Sequence, residues 1–166
     1  SMFRIKLLIL LLISFIFFSC SKNNLNQNSV KYSLGYIGGE YDGLILKNLM
    51  NNNLSNFGLF DKNSKLKVQP TISHSSELFI TNIDNTSDRM SVESKLIVRV
   101  IDQKFNCVTN KFEGEVSQFY LFADSDKYLS NNEAEKKIRN ENTEALTKKF
   151  INQLIRSKGT CKLNYE

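Results

Sequence analysis

The stretch RMSVESKLIVRVID, Arg89 to Asp102, decides how this chain folds. Met90, Val92, Leu96, Val98 and Val100 fall on one side of an extended backbone, and Ser91, Glu93, Lys95 and Arg99 on the other. A period of two marks a half-buried strand. Its apolar side needs a second layer to cover it, and its polar side can meet water. Downstream, a turn over Phe105 to Lys111 leads into a partner strand. Phe112, Gly114 and Val116 share one face of that strand, which runs to about Phe122. The two strands read as a long hairpin.

Upstream, Leu66, Val68 and Ile72 alternate with polar residues and predict a strand over Lys65 to Ser73. A further short strand is expected over Glu77 to Ile83, followed by a turn-rich break from Asp84 to Asp88. Lys31 to Ile37 predicts the first strand, ended by Gly38 and Gly39. Asp42 is a candidate helix cap. Ile45, Leu46, Leu49, Met50, Leu54 and Phe57 then recur on one helical face, and Gly58 stands where a helix stops. The spacing predicts a helix over Gly43 to Phe57.

Ser130 and Glu133 have the spacing of a capping box. They predict a long helix over Asn131 to Ser157, with an apolar stripe of Ala134, Ile138, Ala145, Leu146, Phe150, Leu154 and Ile155. Glu133–Lys137, Glu135–Arg139 and Glu144–Lys148 are oppositely charged pairs one turn apart. Acids early and Lys148, Lys149, Arg156 and Lys158 late suit the helix dipole, and Gly159 ends the helix. The expected architecture is α+β. It is a two-layer sandwich of strand, helix, meander and helix, with both helices on one face of a mostly antiparallel sheet. Residues 31–166 form a single domain in this reading.

The N-terminus carries a different signal. Arg4 and Lys6 precede an apolar run from Leu7 to Phe18, and Ser19 stands just before Cys20. A basic start, a short apolar run and a small residue make a secretory leader over residues 1–19. The run falls short of the roughly 20 apolar residues of a spanning helix. Phe17-Phe18-Ser19-Cys20 resembles the lipobox of bacterial lipoproteins, with phenylalanines where leucine and a small residue are usual. Either Cys20 is the lipid attachment site of a membrane lipoprotein, or it follows an ordinary cleavage site by chance. Ser21 after the cysteine favours the outer membrane by bacterial sorting rules. Residues 20–30 read as the lipidated cysteine and an Asn-rich flexible tether.

Removing residues 1–19 takes away Arg4 and Lys6 and leaves twenty basic against seventeen acidic side chains. That balance, without a Lys/Arg block, argues against a nucleic-acid partner. Cys107 and Cys161 form an even pair in an exported chain. They are either a disulfide or two free thiols. Chemistry-bearing patterns are sparse. His74 is the single histidine. It has no second histidine or spare cysteine at metal spacing, and no serine stands in a nucleophile motif. Gly35, Gly38 and Gly39 lack the ending of a phosphate loop. Asp124 and Asp126 lack the later ligands of a calcium loop. The sequence therefore implies no enzyme, no cofactor and no metal.

The strand ending at Asp102, the strand Glu113 to Phe122, and the turn Asp124-Ser125-Asp126-Lys127-Tyr128-Leu129-Ser130 before the last helix resemble the LPS-assembly lipoprotein family, LptE. The resemblance covers about Arg89 to Ile155 in residues and most of the mature chain in element order. It implies a non-enzymatic, lipid-anchored protein at the periplasmic face of the outer membrane. Such a protein plugs and assists assembly of an LptD-like β-barrel translocon and helps deliver lipopolysaccharide to the outer leaflet. Arg89, Lys95 and Arg99 are candidate contacts for its phosphates. The same cations also fit a solvated strand face that protects a sheet edge. A second functional class is a lipoprotein that binds and activates a peptidoglycan enzyme or secretion component. A ten-residue tether spans only about 15–20 Å, which holds the domain near its membrane and favours the barrel partner.

Overall fold

The computed structural model describes residues 30–79, 89–122 and 128–161. The leader, Cys20, the tether, residues 80–88 and the turn at Asp124–Asp126 lie outside the described residues.

The chain forms β1 (Ser33–Leu34), α1 (Glu40–Asn56), β2 (Leu66–Phe79), β3 (Arg89–Asp102), β4 (Cys107–Leu121) and α2 (Tyr128–Ile155). The sheet order is β1-β2-β3-β4, with β1 parallel to β2 and the remaining pairs antiparallel. Both helices cover one sheet face. Leu46, Met50 and Leu54 of α1 share a core with Leu146, Phe150, Ile151 and Leu154 of α2, and with Val68, Ile72, Leu96, Val98, Val100 and Phe112 of the sheet. This is the α+β two-layer sandwich that the apolar side of Arg89–Asp102 requires. At one end, here the base, lie the start of β2, the β3–β4 turn and the end of α2. The opposite end is the tip.

Several boundaries differ from expectation. The strands expected at Lys65–Ser73 and Glu77–Ile83 are one strand as far as Phe79, paired residue for residue with β3. Ser73 to Ser76 have little strand propensity of their own. Cross-strand pairing overrides it. Pro70 sits within β2 because its carbonyl, and so its missing N–H, faces β1, where Gly38 N–H donates to Pro70 O at 3.1 Å. The first strand contracts to two residues, with isolated bridges Tyr32–Phe60 and Gly38–Thr71 on either side.

Helix α1 starts at Glu40, not after an Asp42 cap. Gly39 stands at the cap with φ 116°, a left-handed conformation in which a Cβ would also lie 2.9 Å from Ile72 O. Asp42 instead lies 3.8 Å from Arg139 of α2. Gly58 does end this helix. At φ 66° it lets its own N–H bond Ser55 O and the Leu59 N–H bond Leu54 O. That is a Schellman closure, with Leu54 and Leu59 both in the core.

Helix α2 begins at Tyr128, so Ser130 and Glu133 lie inside it and no capping box opens it. Its first turn holds no acid and its last turn no base, against the expected dipole arrangement. Ile155 is 47% exposed and Ile151 is buried in its place. Asn142, Thr143 and Thr147 fill the rest of the buried stripe. Glu135–Arg139 and Glu144–Lys148 pair at 2.5 and 2.7 Å, while Lys137 lies 3.9 Å from Glu141.

The hairpin turn is shorter than Phe105–Lys111, because β4 already begins at Cys107. Asp102 Oδ1 accepts the N–H groups of Lys104 at 2.8 Å and Phe105 at 3.3 Å, and Asn106 takes φ 51°. A bulge opposite Val100 and Ile101 follows. Cys107 is joined to Cys161 by a disulfide with a Cα–Cα distance of 5.9 Å. It ties the segment after α2 to the turn end of the hairpin.

Candidate functional site

Among the described residues nothing covers the sheet face away from the helices, and the three long strands set its rows. Register places Lys67, Gln69, Thr71, Ser73, Ser75, Glu77 and Phe79 of β2 on it, beside the odd-numbered residues of β3. Lys111, Glu113, Glu115, Ser117, Phe119 and Leu121 of β4 complete it. Three zones follow from base to tip.

At the base, Arg99 is directly opposite both Lys111 and Gln69. Like charges opposite one another oppose the pairing. In the middle, Lys95 Nζ lies 2.7 Å from Glu113 Oε1. The hydrogen bond that Lys95 donates to Glu113 holds the Lys95 ammonium above its ordinary pKa and the Glu113 carboxyl below its own. Both groups are in water, so the pair contributes little stability. At the tip, Phe79 and Phe119 meet edge to face at 5.8 Å between centroids and 70° between planes. Leu121 beside them is 66% exposed, and Arg89 stands between Phe79 and Leu121 in the ladder.

The three candidate cations therefore do not form one cluster. Arg89 is in the tip row, Lys95 is committed to Glu113, and Arg99 is in the base row. Ten residues of strand separate Arg89 from Arg99, roughly 34 Å. Of the three, only Arg89 has apolar residues directly opposite it in the ladder, Phe79 and Leu121. The aromatic tip itself was missed by the sequence reading, although its signal was present. Phe79, Phe119 and Leu121 fall on the odd positions of strands whose core residues are even.

The helix side of the tip is also open. Leu78, Tyr128 and Leu129 are exposed. A groove of about 280 Å³ lies beside Tyr128, lined also by Met90, Tyr120, Phe122 and Glu135. Burial raises the Tyr120 phenol above its usual pKa, and the Glu135 carboxylate adds to this.

His74 faces inward. Its Nδ1 is 2.7 Å from Ser94 Oγ, which accepts from Asn142 Nδ2 at 2.9 Å. Asn142 Nδ2 also donates to Val92 O at 3.2 Å, and Gln118 Nε2 donates to Asn142 Oδ1 at 2.7 Å. Burial lowers the His74 pKa, with Asp42 acting in the opposite sense. Ser94 is fully buried beneath α2, so this serine–histidine contact has no opening to a substrate. It satisfies polar groups between helix and sheet. Among the described residues, no group of three or more His, Cys, Asp or Glu is placed to hold a metal. No helix of the described residues is long and apolar enough to cross a membrane.

No family model and no curated protein matches this sequence. Solved structures do match it in shape. A minor lipoprotein from Acinetobacter baumannii superposes with a TM-score of 0.57 at 14% identity, over 77% of this chain and 92% of that one. A rare lipoprotein B from Shewanella oneidensis gives 0.53 at 12% identity, over 78% and 95%. An uncharacterized lipoprotein B from Nitrosomonas europaea gives 0.55 at 10%, over 75% and 81%. The chain has the fold of these bacterial lipoproteins. Among the described residues, nothing covers one sheet face or the tip of this fold.

Proposed function

We propose that this chain is a non-enzymatic outer-membrane lipoprotein, anchored through Cys20 at the periplasmic face. In this reading it plugs and helps assemble a lipopolysaccharide translocon β-barrel of the LptD type. The observation that carries the reading is the uncovered face of β2, β3 and β4, which continues past the core to an exposed aromatic tip. The polar middle of that face, with Glu93, Lys95, Glu113 and Ser117, suits the polar lumen of a barrel. Phe79, Phe119 and Leu121 around Arg89 suit an amphipathic ligand with phosphates and acyl chains, since Arg pairs strongly with phosphate. The fold shared with a rare lipoprotein B agrees with a lipoprotein reading.

Co-purification from detergent-solubilised outer membrane tests this. The expected result is a stoichiometric complex with an outer-membrane β-barrel, and loss of correctly folded barrel on depletion. Recovery of a peptidoglycan hydrolase or synthase instead would replace the reading with the activator class.

A further inference from the structure

The base carries a second surface that the barrel reading does not use. Three observations meet there. The first is where the chain enters the fold. Val30 packs at the base, because a Cβ on Gly159 would lie 2.8 Å from Val30 and 3.2 Å from Leu66. The described chain therefore begins at this end of the molecule.

The second is charge. Lys65 precedes β2, and its carbonyl accepts the Gln103 N–H at 2.9 Å, which places it against the β3–β4 turn. Lys104 is in that turn. Lys111 and Arg156 line one groove of about 410 Å³ between β4 and the end of α2. Lys158 stands beside Gly159. All five side chains are exposed. The nearby acids, Asp61 and Asp102, each accept a backbone N–H of their own turn.

The third is an aromatic at the outermost point. Phe105 occupies the turn between β3 and β4, 65% exposed, with Lys104 Nζ 5.1 Å from its ring centroid. A turn held by Asp102 thus presents one large apolar side chain amid cations. Amphipathic surfaces of this composition partition into the interface of anionic membranes.

We propose that the base docks on the anionic phospholipid surface of the membrane that holds the anchor, with Phe105 inserted at headgroup level. The inference rests on the lipid anchor at Cys20. It does not rest on the barrel. The occupant is set by where the chain enters and by charge. A tether of about ten residues reaches only about 15–20 Å, so the end from which it departs is the end brought to the membrane. Each Lys or Arg near such a surface favours binding by about fivefold at physiological salt. Docking this way orients the free chain with its tip directed away from the membrane, where a barrel still in assembly can meet it. Capture by the barrel then releases the base.

The chain contains no tryptophan, so one introduced indole reports on one site. The test uses the acylated full chain carrying Phe105→Trp, or Phe119→Trp as the tip control. Each is mixed with vesicles of phosphatidylethanolamine and brominated phosphatidylglycerol. The expected result is quenching and a blue shift at position 105, lost in 1 M salt and lost again when Lys65→Glu and Lys104→Glu are added. Position 119 should stay unquenched. Co-sedimentation of the chain without quenching at 105, or equal quenching at 119, would overturn the docking and leave the anchor intact. Failure to co-sediment at all would overturn the docking and the anchor together.

Discussion

The base and the tip of the same three strands are built to the same hydrogen-bond ladder and to opposite burial. At the base, Val98 and Val100 of β3 are fully buried and Phe112 of β4 packs on Phe150 of α2 at 5.7 Å between centroids. The Cys107–Cys161 disulfide closes that end. Toward the tip the ladder continues without interruption from Ser91 to Arg89, yet Phe79, Phe119, Leu121, Tyr128 and Leu129 are exposed. Apolar side chains in water contribute little to folding. Their concentration at one end of an otherwise polar face marks a contact surface. In the proposed reading stability resides at the base and recognition at the tip, and each of the following variants is a way to break that division.

The largest effect is expected from Phe150→Ala. Phe150 is fully buried at the centre of the core. Removing a buried phenylalanine ring costs about 3–5 kcal/mol, read as a lower urea midpoint at unchanged slope. A loss under about 1 kcal/mol would show that the base is not the stabilising half.

Cys161→Ser comes next. The bridge spans 54 residues of sequence, and closing a loop of that length stabilises by about 2–4 kcal/mol. Chemical denaturation with and without reductant should show that loss for the parent chain and none for the variant. Equal midpoints for the parent in both conditions would contradict it.

His74 lies between the two halves and should give a smaller, pH-dependent effect. Its folded pKa is depressed, so as pH falls the unfolded chain takes up the proton first. Stability should be full above about pH 7 and decline as pH falls below the ordinary histidine pKa of about 6.5. It should level off once the folded form is protonated too. His74→Gln should flatten this part of the curve. An unchanged slope between pH 7.5 and pH 5 would assign the dependence to other groups.

The architecture was legible in the sequence where burial and period agree. The even positions of Arg89–Asp102, Leu46, Met50 and Leu54 of α1 with Gly58 at its end, and Ile138, Leu146, Phe150 and Leu154 of α2 stand where alternation and helical spacing put them, whereas Phe57, expected on the α1 face, is exposed. What was not legible depends on partners distant in sequence. Ser73 to Ser76 become strand only because β3 lies beside them. Asn142 is buried because Ser94, Val92 O and Gln118 receive it. The start of α1 is set by the left-handed Gly39 against Ile72. The candidate cations were chosen from one strand face without knowing that Glu113 would take Lys95. The aromatic tip was overlooked although Phe119 and Leu121 break the alternation. They occupy the face that alternation assigns to polar residues.

The smallest effect on stability and the largest on recognition should come from the tip. Phe119→Ser with Leu121→Ser should leave the urea midpoint within about 0.5 kcal/mol, as for most exposed positions. The same pair should weaken the complex recovered from outer membrane. A folded double variant that binds its partner as well as the parent would remove the tip from the binding surface.

The division is tested most directly by crosslinking from the tip in intact cells. A photoreactive phenylalanine analogue replaces Phe119 and a second chain carries it at Phe105. Irradiation is followed by separation of outer-membrane adducts by mass. The expected result is a single adduct with an outer-membrane β-barrel from position 119, and none of that species from position 105. Adducts from position 119 confined to a periplasmic enzyme, or a barrel adduct from the base alone, would contradict the assignment of recognition to the tip.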